Sequence, residues 1–200
     1  MFTKTSKLKA IFKEAYNYHQ LDIGLNDDNV YIIRGHIFMM KCPAEFMENE
    51  VLAELVKLTG GLPGKGEAIS YVANDEPQMT DMEFLDEDLY EQWDEGTQIV
   101  EPTRMMVRSE DDIHIIYQSV RGNEKIMVPV RLYNCIDAPR GIDEEKAATK
   151  VTKLNRLIVV SNEMQFRFDQ HSIKWKQEKA ILDVCKNIDL NWQTFDENLL

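Results

Sequence analysis

Apolar residues along this chain recur with two rhythms, and the switches between them mark the elements. Leu8, Ile11, Phe12, Ala15 and His19 follow i, i+3, i+4 spacing behind Ser6. That predicts an amphipathic helix capped at the serine, with Lys7, Lys9 and Lys13 on its remaining surface. Leu21, Ile23 and Leu25 alternate with polar residues, and apolar runs at 30–33 and 37–40 follow, broken by Asn26-Asp27-Asp28-Asn29 and Arg34-Gly35. Period-two stretches separated by turn formers predict a three-strand meander. Pro43 and Ala44 open a second predicted helix through Met47, Val51, Leu52, Leu55 and Leu58, which Gly60-Gly61 stops.

The second half repeats the scheme. Strand-like runs at 104–107, 113–120 and 125–133 are joined by turns at 109–112 and 121–124. Asp143 caps a predicted helix through Ala147, Val151 and Leu154, and an apolar run at 157–160 follows it. Met164, Phe166 and Phe168 then alternate, as do Ile173 and Trp175, before a short helix through Ala180, Ile181, Val184 and Cys185. The tail at 189–200 is expected to dock through Leu190, Trp192 and Phe195. Helix followed by three strands thus occurs three times as a pattern, without a residue-level repeat. The expected fold class is α+β: antiparallel meanders each preceded by a helix, with the helices packed on the sheet. Residues 1–136 are expected to form the body, including an acidic segment at 66–103, and 137–200 a C-terminal α/β subdomain or extension, or a continuation of one domain.

Charge changes this picture at one place. Residues 66–103 carry twelve Asp and Glu and no Lys or Arg; the rest of the chain holds the other 23 acids (35 − 12) against all 23 bases. The whole excess of −12 therefore falls in one stretch. Within it Thr80-Asp81-Met82-Glu83 fits a capping box, and Met82, Leu85, Leu89 and Trp93 form one stripe closed by Gly96. Around that stripe the predicted helix carries Glu83, Phe84, Asp86, Glu87, Asp88, Tyr90, Glu91 and Asp94, with Phe84 opposite the stripe. Aromatic residues among carboxylates on a helix surface suit contact with a basic partner.

Recognisable catalytic chemistry is not found. A chain of 200 residues, 44% hydrophobic and 29% charged, is long enough for one globular domain or two small ones. Three widely separated cysteines argue against a disulfide framework, and no secretory signal or run of eighteen apolar residues is present, so a reducing, cytoplasmic setting is expected. The glycine-rich run at 60–66 fails as a phosphate loop. Thr59 stands where the first glycine is required, and Gly66 where a hydroxyl should follow the lysine.

His19, His36, His114 and His171 fall in four predicted elements without ligand spacing, which favours structural roles and no metal. Cys42 and His36 share a strand face but lie roughly 20 Å apart along it, too far for a nucleophile pair. Paired carboxylates such as Asp86-Glu87-Asp88 could hold Mg²⁺ in a metal-assisted enzyme, yet solvation explains such runs more simply. The expected protein is non-enzymatic, with no cofactor.

The segment Phe2-Thr3-Lys4, followed by Leu8-Lys9-Ala10-Ile11-Phe12-Lys13, a meander, and Ile126-Met127-Val128-Pro129-Val130-Arg131-Leu132, resembles repeats of the DNA polymerase processivity clamp over residues 1–135. The resemblance implies units of a strand, a helix and three strands, with Lys7, Lys9 and Lys13 on a DNA-facing helix. The acidic residues at 81–94 and the 68 residues after Leu132 depart from it and imply a clamp-derived scaffold rather than a working ring. The small, acidic, methionine-rich composition also resembles phage or prophage products.

The leading expectation is an interaction protein whose acidic helix docks on a basic surface of a nucleic-acid-handling protein, as a competitor for or mimic of nucleic acid; the alternatives are the clamp-like scaffold, a metal-assisted enzyme, and a structural subunit whose acidic face is only solvated. Direct nucleic-acid binding is disfavoured by the net charge, and Arg104, Arg108, Arg121 and Arg131 are split by strand alternation. No membrane partner is expected.

Overall fold

A computed structural model describes residues 4–96, 98–108, 112–135, 150–151, 156–160, 164–169 and 176–190, without the side chains of Phe84 and residues 176–179. The chain is α+β, as its periodicities predict. Among the described residues eleven strands form one sheet in the order β5-β4-β1-β2-β3-β11-β10-β9-β6-β7-β8, and the paired neighbours are antiparallel. The strands are β1 (Leu21–Leu25), β2 (Val30–Arg34), β3 (Phe38–Pro43), β4 (Glu67–Tyr71), β5 (Gln78–Met79), β6 (Gln98–Arg108), β7 (Ile113–Ser119), β8 (Lys125–Pro129), β9 (Lys150–Val151), β10 (Leu157–Val160) and β11 (Gln165–Phe168). The late strands β9–β11 fill the middle of this sheet between β3 and β6. The expected boundary at 136–137 therefore does not separate two sheets.

The first helix, α1 (Thr5–Tyr18), lies with α2 (Asn49–Thr59) over one face. Leu8, Ile11, Phe12 and Ala15 of α1 and Val51 and Leu55 of α2 are buried there. Strand alternation supplies the other side of this core: Ile33 on β2, Phe38, Met40 and Cys42 on β3, Leu157 and Val159 on β10, Phe166 and Phe168 on β11. Phe38 packs between Phe12 and Phe166, with ring centroids 5.8 and 6.0 Å away. The intervening residues Ile32, Met39, Ile158, Val160 and Arg167 are buried as well, so the sheet is covered on its second face too. That cover is the acidic segment, folded as α3 (Met82–Leu85) and α4 (Leu89–Asp94).

Several boundaries differ from the expectation for identifiable reasons. Helix α1 starts at Thr5, with Lys4 rather than Ser6 in the capping position, and the Thr5 hydroxyl donates to the Glu48 carboxylate just ahead of α2. Strand β3 runs on through Pro43 into a 3-10 turn at Ala44–Phe46, so α2 begins only at Asn49. Gly60 ends α2 in the left-handed region at φ 79°, as the stop signal required.

Strand β6 begins six residues before the expected run and continues through Pro102 by a register shift between Pro102 and Met106. Inside that irregularity the buried Thr103 hydroxyl donates to the Ile116 carbonyl at 2.8 Å. The strand expected at 125–133 stops at Pro129, and Val130–Tyr133 forms the one-turn helix α5. Proline has no N–H to continue a ladder, and its fixed φ suits the entry to a helix. Lys150 and Val151 form β9 where a helix was expected. The last helix, α6 (Lys176–Cys185), matches its expected position. The cap at Asp143, the Ile173-Trp175 alternation, and Trp192 and Phe195 fall outside the described residues.

Gly35, in the turn between β2 and β3, leaves room for the buried Phe38 ring. A Cβ there would lie 2.4 Å from Phe38 Cε1. Gly35→Ala is expected to lower stability by about 1–3 kcal/mol through overpacking, read as a lower urea midpoint at unchanged slope.

Candidate functional site

The acidic segment crosses the second sheet face in two short helices rather than the single expected helix. The break is at Asp86-Glu87-Asp88, where Asp88 caps α4 by accepting from the Glu91 N–H at 2.9 Å. Asp81, not Thr80, caps α3, accepting from the Glu83 N–H at 2.9 Å. Most of the predicted stripe still finds its place: Leu85 and Leu89 are fully buried against Ile32, Met39 and Ala68, with Met82 packed beside them. Gly24 on β1 makes the approach of Met82 possible, since a Cβ there would sit 3.0 Å from its sulfur. Trp93 is half-buried, with Lys150 Nζ 3.7 Å from its ring centroid. This cation–π contact ties the end of α4 to β9.

Beneath the break the sheet carries cations. Arg167 of β11 is only 2% exposed, because alternation with Phe166 and Phe168 turns it away from the main core and under α4. Its guanidinium donates to the Glu87 carboxylate and to Asp169 Oδ2 at 3.2 Å, while its Nε lies 3.0 Å from Asp169 Oδ1. Arg156 joins from the start of β10, at 3.1 Å from Asp169 and 3.5 Å from Glu87. Gln92 of α4 donates to Glu87 at 3.0 Å. Lys41 of β3 donates to Asp86 at 2.6 Å and to the Glu87 carbonyl at 2.9 Å. Burial by itself would raise the Glu87 carboxyl; the Arg167 and Gln92 hydrogen bonds and the two guanidinium charges outweigh it and hold the group below its ordinary range.

Two of the eight expected contact residues are therefore engaged by the molecule's own cations. Glu87, placed on the outer surface by the sequence, is turned inward, and Asp86 is tied to Lys41. The other carboxylates, Glu83, Asp88, Glu91 and Asp94, are exposed, together with Asp81 and Glu95. Tyr90 is 45% exposed among them. The side chain of Phe84 falls outside the described residues. Arg167 was missed because a lone arginine between two phenylalanines reads as a solvent-facing strand position. The complementary signal was the acidic run itself, which had to cover something.

On the opposite side of the sheet, Lys7 and Lys13 of α1 are exposed, while Lys9 pairs with Glu50 of α2 at 3.1 Å. The expected separation of the histidines does not hold for two of them. His19 and His36 stack with ring centroids 3.5 Å apart. Cys42, Cys135 and Cys185 are buried, and burial pushes the Cys135 thiol up to about 12. Among the described residues no helix is long and apolar enough to cross a membrane. No protein-family model, curated protein or solved structure matches the chain.

Glu87→Gln is expected to destabilise the fold by about 1–3 kcal/mol at neutral pH, because it removes the charge that faces a buried guanidinium. A depressed carboxyl contributes stability above its unfolded value and loses it as pH falls through the lower folded value. The difference between Glu87→Gln and the unaltered chain should therefore be largest at neutral pH and shrink as pH drops below 4.5, the ordinary value for this group. Urea unfolding at a series of pH values measures it.

Proposed function

We propose that the chain is a non-enzymatic interaction protein that presents an ordered acidic ridge to a basic, nucleic-acid-handling protein and competes with nucleic acid for it. The observation that carries this reading is the division of labour within residues 81–95. Met82, Leu85, Leu89 and Glu87 fix the segment to the sheet, and Asp81, Glu83, Asp88, Glu91, Asp94 and Glu95 are left facing outward. A surface of one sign steers association with a partner of the other, while a partly exposed tyrosine beside it offers an anchor that loses little rotamer entropy on contact. Fixing the ridge beforehand reduces the ordering cost of binding. The alternative reading, a clamp-like scaffold that binds DNA through Lys7, Lys9 and Lys13, has less support: Lys9 is already paired with Glu50.

The test is competition. A basic, sequence-nonspecific DNA-binding protein is loaded on labelled duplex DNA, and this chain is added at low and at moderate salt. Displacement is expected at low salt and should weaken steeply as salt rises. Glu91→Lys with Asp94→Lys should reduce displacement by about tenfold or more, whereas Glu45→Lys with Glu124→Lys, the same change in net charge at exposed positions outside the ridge, should leave it largely intact. No displacement, or equal losses in the two double variants, overturns the proposal. Direct DNA binding by the unaltered chain that is abolished by Lys7→Glu with Lys13→Glu would establish the clamp-like alternative.

A further inference from the structure

We propose that Glu14, His19 and His36 form a site for one borderline divalent transition-metal ion, of which Zn²⁺ is the representative. The three residues are distant in the sequence rhythm but converge in space. Glu14 lies on the last turns of α1, and His19 is the residue that closes that helix. His36 sits in the turn between β2 and β3. Each offers a donor atom, and the donors lie within 4.8 Å of one another. Tetrahedral zinc with bonds of about 2.0–2.1 Å holds its donors roughly 3.4 Å apart, so the side chains draw together and re-orient to close the set.

The chemistry of the donors selects the ion. Two imidazoles and one carboxylate suit zinc, cobalt or nickel, whereas magnesium and calcium require mostly oxygen. The two rings lie close together in a stack, their planes inclined by 25°; an ion sits in the plane of each imidazole that ligates it, so the rings turn out of the stack to bind. Glu14 is held from behind by the Arg131 guanidinium of α5, which is itself shared with Asp112 through a 2.9 Å contact. Ligating carboxylates are commonly hydrogen-bonded in this way, and the bond to one oxygen orients the other. The adverse charges are the Arg131 guanidinium on Glu14, which Asp112 partly offsets, and Lys13, which lines the same cleft as Glu14 and His19. Lys13 is exposed, and its flexible stem lets the ammonium turn into solvent.

Three protein ligands at the surface leave a coordination position for water. An ion here would join the end of α1 to the β2–β3 turn. This site stands apart from the acidic ridge, and neither depends on the other.

Calorimetric titration of the metal-free chain with ZnCl₂ tests the assignment, with thermal unfolding as a second readout. One equivalent is expected to bind with a dissociation constant in the micromolar range, and to raise the unfolding temperature because only the folded chain assembles the site. His19→Ala and His36→Ala should each weaken binding by about tenfold or more, Glu14→Gln should do so as well, and His114→Ala should leave it unchanged. Millimolar Mg²⁺ should not compete. His19 is exposed at a helix end, so His19→Ala is the decisive variant if His36→Ala fails to fold. The absence of saturable binding up to about 1 mM Zn²⁺, or equal binding by His19→Ala and the unaltered chain, overturns the proposal.

Discussion

A charged side chain in the middle of a covered sheet is the constraint around which this protein is organised. Arg167 occupies a β11 position whose neighbours Phe166 and Phe168 belong to the main core, so strand alternation delivers its guanidinium to the opposite face. A guanidinium on a side chain only 3% exposed must be met by anions with suitable geometry. Asp169 comes from its own strand end, and the other anion is Glu87, brought from the middle of the acidic segment. The same contact falls at the break between α3 and α4, and with Lys41 and Arg156 it makes the second sheet face partly ionic rather than purely apolar.

That arrangement explains how a segment with no basic residue of its own stays attached. Like charges along residues 81–95 repel one another, and neither helix is long enough to be stable alone. Attachment comes from below: the buried pair Leu85 and Leu89 gives apolar area, and the sheet cations compensate the two carboxylates nearest to them. The outer carboxylates face solvent with the field of the excess negative charge. The acidic composition thus serves two roles at once, internal pairing at Asp86 and Glu87 and an outward surface at the remaining positions.

The other sheet face follows more ordinary rules. Aliphatic and aromatic residues of α1 and α2 meet alternating positions of β2, β3, β10 and β11, and Phe12, Phe38 and Phe166 form a continuous row of aromatic contacts through the layer. Strand β11 lies between β3 and β10, so the C-terminal part of the chain completes the core begun by the first meander. Folding of the two parts is therefore coupled through long-range pairing, with the loop-closure cost such contacts carry.

Local signals fixed much of this without tertiary information. The helical spacing of Leu8, Ile11, Phe12 and Ala15, the alternation in β1–β3, the helix stop at Gly60 and the Met82-Leu85-Leu89 stripe are all read from residues near in sequence, and the structure contains each of them. Short-range periodicity was sufficient there because burial of one face decides the element. It failed at β4, whose five residues show no clean alternation, at β6, where Pro102 is accommodated by a register shift, and at β9, whose two residues are strand only because neighbouring strands supply their hydrogen bonds. The inward turn of Glu87 and the meeting of Glu14, His19 and His36 were also illegible, since charge and ligand geometry depend on which strands become neighbours. Sequence determined which faces must be buried; only the closing of β11 between β3 and β10 decided which charges would face each other, because that contact joins segments more than a hundred residues apart.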